Sequence, residues 1–218
     1  MNNNIWLQIA DYFTNNLDTF FIAVKEHIEI SFIALIIAIV IGIPFGYICV
    51  KYKKIDRKIM AVFNVLRIIP SLAILILLIP IMGAGANSAI VALVLLAIPS
   101  ILMNTMAGLI EVPDFMLETA YAVGMTEKQV FWKVKLPLAM PLILTGIKTA
   151  MIEIIASATL AAKIGAGGLG SIIFTGLGLN RMDLLLIGGI SVGILSILAG
   201  LCLDLMDRFL LKHKYVRA

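Results

Sequence analysis

Long uncharged apolar runs separated by short basic segments dominate the chain. Ile30 to Val50 carries no charge, and Ile68 to Ile110 is uncharged throughout and long enough for two membrane crossings, since one crossing takes about 20 apolar residues. Gly83-Ala84-Gly85-Ala86-Asn87-Ser88, in the middle of that second run, reads as the turn between two spans. Pro137 to Ala162 is a fourth span, interrupted by Lys148 and Glu153, and Leu184 to Leu203 is a fifth. Ahead of the first span, Ile5, Ile9, Phe13, Leu17, Phe20 and Val24 recur at steps of three and four. That spacing predicts an amphipathic helix over 5–24 lying in the membrane interface with Trp6 and Tyr12 as anchors; the alternative is an extension of span one beyond the bilayer.

Orientation follows from the basic residues. Lys51, Lys53, Lys54, Arg57 and Lys58 lie between spans one and two, Lys128, Lys133 and Lys135 between three and four, and Arg208, Lys212, Lys214 and Arg217 at the end. With five spans all three segments share one side. This predicts an all-α membrane protein with the N-terminus outside and the C-terminus cytoplasmic. Its expected parts are an interfacial segment 1–27, a transmembrane domain 28–210 with a cytoplasmic loop 111–137, and a basic tail 211–218.

Composition agrees. Of the 218 residues 61% are hydrophobic and only 14% charged, and the mean hydropathy is +1.08, whereas a soluble domain carries about a quarter charged residues. The net charge of +4 belongs to topology, and no nucleic-acid site is expected. Polar Met1 to Asn4 lacks the basic start of a cleavable signal. Cys49 and Cys202 sit far apart in apolar stretches and form neither a disulfide framework nor a metal site. His27, read as lying outside span one, and His213 cannot pair, and no catalytic motif is present, so neither a catalytic nor a metal site is expected.

Gly165-Ala166-Gly167-Gly168-Leu169-Gly170 satisfies G-x-G-x-x-G in letters but follows a membrane helix, not a strand. It reads as a loop whose glycines let backbone pack tightly at membrane depth. No G-x-x-x-x-G-K-[ST] occurs, so the chain has no phosphate cradle for ATP. Gly42-x-x-x-Gly46 and Gly189-x-x-x-Gly193 are spacings that permit close helix packing. Lys148 and Glu153 lie five apart, about 140° around a helix, too far round to pair with each other. Intramembrane ionisable groups face a pathway or a partner; for Lys148 the expectation is snorkelling or a helix C-terminus. Ser71, Asn104, Thr105, Ser157 and Thr159 are polar groups within spans, read either as interhelical hydrogen-bonding groups or, with Glu153, as the lining of a polar path.

Glu111 to Lys135 reads as two short helices. Asp114 is a candidate N-cap for the first, Gly124 is the break, Thr126 and Gln129 form a capping box for the second, and Pro137 suits the first turn of span four. Met116, Leu117, Ala120, Tyr121, Val123 and Met125 give the loop an apolar surface, which either docks into a partner or folds back on the spans. Glu118-Thr119-Ala120, three residues, Gly124, nine residues, then Val134-Lys135-Leu136-Pro137 resembles the "EAA" loop of ABC importer permeases, with Thr119 and Val134 as departures. Ile69-Pro70-Ser71, Asn104-Thr105, Gly146-Ile147-Lys148-Thr149-Ala150 and Ala158 to Gly170 resemble the osmoprotectant branch, serving glycine betaine, carnitine and choline; Met103 stands where that branch has a basic residue.

The resemblance implies a type I importer permease core that works as a homodimer or heterodimer. It implies a cytoplasmic ABC ATPase, carrying ATP and Mg, that receives the loop through Glu118, Thr119, Ala120, Gly124, Leu136 and Pro137. It also implies an extracytoplasmic solute-binding protein, and places the loop of Gly165, Gly167, Gly168 and Gly170 beside the translocation path as an outer gate. Open alternatives are a permease for methionine or another small zwitterion, an ATP-independent channel or carrier, and a membrane enzyme.

Overall fold

The computed structural model describes residues 4–210, so the expected tail 211–218, with His213, lies outside the described residues. Among the described residues the chain is helical without strands. Ten α-helices follow in order: α1 Ile5–Asn15, α2 Leu17–Lys51, α3 Lys53–Ile68, α4 Ser71–Met82, α5 Ala86–Ile110, α6 Asp114–Ala122, α7 Glu127–Val130, α8 Leu136–Ala161, α9 Leu169–Gly178 and α10 Met182–Leu210. A π turn, Phe131–Lys135, joins α7 to α8 without a break, and a 3₁₀ turn, Ala162–Ile164, ends α8.

Four helical stretches are long and apolar enough to cross a bilayer, namely Leu17–Lys51, Ala86–Ile110, Glu127–Ile164 and Met182–Phe209. The fifth crossing differs from the straight span expected from Ile68. It is a pair of helices, Lys58–Ile68 and Ser71–Met82, bent by 100°, which makes a fifth crossing when the pair is taken as one broken span. Pro70 supplies the reason. A residue before proline is driven out of the helical region, and Ile69 is extended (φ −71°, ψ 126°). α4 has 12 residues, about 18 Å of helix, which is short of the roughly 30 Å hydrocarbon core. The expected turn over 83–88 is present, with Gly83 and Gly85 at positive φ and the Ser88 hydroxyl donating to the Gly83 carbonyl.

The single amphipathic helix expected over 5–24 is divided. α1 ends at Asn15, Asn16 caps it, and Leu17 onward belongs to the 35-residue α2, about 52 Å long. No proline or glycine interrupts Leu17 to Ile30, so the helix runs on past the membrane, the alternative read from the sequence. His27 is therefore inside α2 and buried, its Nε2 3.1 Å from the Ile155 carbonyl oxygen, not outside the span.

α5 is the central post. Leu93, Ile101 and Leu102 are wholly buried among residues of α2, α4 and α8. Gly42 and Gly46 allow α2 this close: a Cβ on Gly46 would lie 2.7 Å from the Thr105 Cβ and 3.0 Å from the Leu102 carbonyl oxygen. The second glycine pair behaves otherwise, since a Cβ on Gly189 or Gly193 would have nothing within 4 Å. A smaller core of Tyr12, Ala23, Leu169, Ile172, Leu184 and Ile187 ties α1, α2, α9 and α10 together at the opposite end from the α6–α7 loop.

Candidate functional site

The loop between α5 and α8 is built as its sequence foretells, with one shift. Thr126 caps α7 in a full capping box with Gln129, and Gly124 sits at φ +84°, where glycine alone carries no steric penalty. Asp114 is the first helical residue of α6, not its cap; Pro113 precedes it and makes no side-chain cap bond. Proline at the cap restricts the backbone and leaves Asp114 in the first turn, where its charge favours the helix N-terminus.

Of the two fates read for the loop's apolar surface, most of it stays open. Phe115, Tyr121 and Val123 are 63%, 50% and 69% exposed, while Ala120 is buried. Glu118 and Thr119 are exposed, Leu136 is half-buried and Pro137 exposed. Between this loop and the ends of α2 and α5 lies a cleft of about 700 Å³, lined by Tyr47, Lys51, Leu109, Tyr121, Lys128 and Lys135 among others. Basic groups that follow span one and precede span four thus share one end of the bundle, as the five-span count requires.

Midway along the bundle, Gly146 brings α8 against α5. A Cβ there would meet the Asn104 Cβ at 2.6 Å and the Ser100 carbonyl oxygen at 2.9 Å. At this seam the Ser100 hydroxyl donates to Glu153 Oε2 (2.7 Å), and Asn104 Nδ2 donates to the Ser100 carbonyl (2.8 Å). So Asn104 and Glu153 come together through Ser100, a residue the sequence reading passed over; its serine-in-an-apolar-run signal was no stronger than many others. Ser71, Ser157 and Thr159 are half-buried, and the Thr159 hydroxyl is turned back on the Ala156 carbonyl (2.7 Å). Thr105 is apart from this group, fully buried on the α2 side against Gly46.

Lys148 reaches the C-terminal turns of α10, where it meets two carboxylates. Its ammonium lies 2.6 Å from Asp204 Oδ1 and 3.0 Å from Asp207 Oδ2 of α10. Asp204 and Asp207, one turn apart, were visible as two acids near the end of span five, but their partner more than 50 positions upstream was not.

At the other end, Gly165, Gly167 and Gly168 all adopt φ +78°. The Gly168 amide, which opens α9, donates to Glu26 Oε2 of α2 (2.8 Å). A Cβ on Gly167 would strike the Glu26 carboxylate, and one on Gly168 would lie 3.1 Å from His27 Nδ1. Gly170 packs directly on the Thr159 carbonyl. Gly167 and Gly168 are therefore needed for close approach as much as for their dihedrals, Gly165 for its dihedral alone and Gly170 for close approach alone, and the loop is clamped rather than free. Removing the clamp in Glu26→Ala leaves an orphan helix N-terminus, a loss of about 1 kcal/mol. Hydrogen exchange at the Gly168 amide should then quicken about fivefold to tenfold, with Glu26→Gln close to wild type. Unchanged exchange in Glu26→Ala would show that the carboxylate does not hold the loop.

The chain compares closely with known proteins. It is 40% identical over 84% of its length, and 84% of the relative's, to the choline transport system permease protein OpuBB of Bacillus subtilis. It is 37% identical over 91% of both chains to the carnitine transport permease protein OpuCB of Listeria monocytogenes. Among solved structures, the MetNI methionine ABC transporter in inward-facing conformations superposes with a TM-score of 0.78 at 27% identity, covering 88% of this chain and 95% of that one. An amino acid ABC transporter crystallised with histidines matches in fold, with a TM-score of 0.78 at 19% identity. The model of the binding-protein-dependent transport system inner membrane component family matches residues 38–214. A bundle of membrane-spanning helices with this loop between its third and fourth crossings therefore belongs to the inner membrane component family of binding-protein-dependent transport systems, and the chain is a permease subunit of an ABC importer.

Proposed function

We propose that this permease carries a small quaternary-ammonium osmoprotectant (glycine betaine, carnitine or choline) through a path between it and a second, identical or sister, permease subunit. A cytoplasmic ABC ATPase, holding ATP and Mg, receives the α6–α7 loop, and an extracytoplasmic binding protein delivers the solute. The observation that carries this reading is the exposed apolar surface of the loop, whose second helix α7 runs through the π turn into α8 without a break. A push on α7, against which α6 packs across the Gly124 turn, reaches Glu153 along one continuous helix, Glu127–Ile164, the rigid-body movement alternating access requires. Kinship with the choline and carnitine permeases supports the cargo class.

The uncovered face of α8 supports a path there. Thr145, Thr149 and Ala156 are exposed together with a single large apolar residue, Ile152, and Glu153 lies half-buried on the same stripe. α10 instead shows Ile190, Ile194, Ile197, Leu201 and Leu205 outward, the surface expected against lipid. Polar and small residues on an open transmembrane face belong to a water-lined path or a subunit contact.

The test is reconstitution in liposomes with the genetically neighbouring ATPase and binding protein, followed by ATPase assay with glycine betaine, carnitine, choline and methionine. Stimulation by a quaternary amine is expected. Stimulation by methionine alone would keep the importer and discard the cargo class, and failure to associate with the ATPase would remove the coupling role. In the same assay Gly124→Leu is expected to insert normally yet lose most solute-stimulated hydrolysis. Open space surrounds the Gly124 position, so the cost is conformational, about 1–2 kcal/mol for a side chain at that φ, and it falls on the shape of the docking loop. Normal uptake by Gly124→Leu would sink the role given to the loop.

A further inference from the structure

We infer that Glu153 is a cation-recognition point in the path, selecting for cargo of net positive charge over zwitterionic cargo of the same head group. The inference rests on the importer reading above and assigns one residue a specificity role within it.

Four observations converge. First, Glu153 lies within the membrane-length apolar helix Glu127–Ile164, eight residues before the end of α8 at Ala161, about 12 Å of helix. Second, its only hydrogen bond among the described residues is the one from Ser100 to Oε2. The other oxygen is not among the buried side-chain atoms that lack a partner, and Glu153 is only half-buried, so that oxygen is accessible. Third, among the described residues no basic group pairs with it. Lys148, the nearest cation in sequence, is committed to Asp204 and Asp207. A carboxylate without a counter-cation in a span is costly and is kept for a pathway or a ligand. Fourth, neither α5 nor α8 contains an aromatic residue, so the usual recognition of a trimethylammonium group by aromatic faces is not available from these two helices.

A trimethylammonium group has no N–H to donate, and a carboxylate edge attracts it through charge alone. Ser100 fixes Oε2 and leaves Oε1 to meet the ligand. Choline presents this head with net charge +1. Glycine betaine presents the same head with a carboxylate of its own, which Glu153 repels.

The experiment compares maximal uptake of choline and of glycine betaine by wild type, Glu153→Gln and Glu153→Asp in the full assembly, with the binding protein saturated by each cargo. Resting ATPase activity and recovery of the assembled complex serve as folding readouts. In Glu153→Gln, choline uptake is expected to fall about tenfold, the effect of roughly 1.4 kcal/mol, while glycine betaine uptake stays within about twofold. Glu153→Asp is expected to recover part of the choline rate. An equal fall for both cargoes, or none for either, overturns the inference and leaves the importer reading standing. Wild-type assemblies that move neither cargo overturn the cargo reading, and the inference with it.

Discussion

Gly46→Leu is expected to destabilise the folded permease by about 3 kcal/mol, the upper range for overpacking a fitted interior, and to reduce its yield in the membrane sharply. The seam it enters has no slack. The first atom of any side chain at this position already overlaps the Thr105 side chain and presses on the Leu102 backbone carbonyl. Thr105 and Leu102 are themselves wholly buried in α5, so neither can swing away, and relief requires moving α2 off the central helix. Gly193→Leu is the matched control. It puts the same bulk on a glycine of the same spacing, but one with nothing within 4 Å, and should shift the thermal midpoint of the detergent-solubilised chain little. Similar midpoints for the two variants would show that the seam yields, and that the α2–α5 approach does not set stability.

Lys148→Met should cost about 2–3 kcal/mol. Removing one member of a buried ion cluster strands the remaining charge, at about 3–5 kcal/mol for full burial; the figure is reduced here because Asp204 is half exposed (54%), although Asp207 is not (18%). Asp207 is the sensitive partner. One of its oxygens is already buried without a hydrogen bond, and loss of the ammonium would leave the other bare as well. The triple variant Lys148→Met, Asp204→Asn, Asp207→Leu removes the stranded charge together with its partner and should regain most of the loss. Chemical unfolding in micelles measures both. A triple variant no more stable than Lys148→Met would show that the cluster contributes packing rather than compensated charge.

These two sites mark how far the sequence could be read. Both glycine pairs have the same spacing, and spacing states only that close approach is possible; whether a helix lies opposite is decided by how α2, α5 and α10 are arranged. Lys148 announces a need for a counter-charge because bare ions in a bilayer are expensive, but the need does not say which of several distant acids meets it. The capping box at Thr126 and the turn at Gly124 were legible because both are completed within a few residues. The 100° break at Pro70 went unread although its cause is local. A proline inside an apolar run is compatible with a tolerated kink as well as a full bend, and Pro44 inside α2 and Pro141 inside α8 leave their helices unbroken.

By itself the sequence determined the membrane class, the four long apolar crossings, the basic end of the bundle and the capped loop between α5 and α8, because hydropathy, charge placement and capping act over one helix length or less. Only the tertiary structure decided that Glu153 meets Ser100, that Glu26 holds the glycine loop from 142 residues away, and that Lys148 is neutralised by α10. In lipid, where apolar surfaces do not choose among neighbours, such pairings depend on which helices small residues allow to touch, and a single chain's pattern carries no record of that.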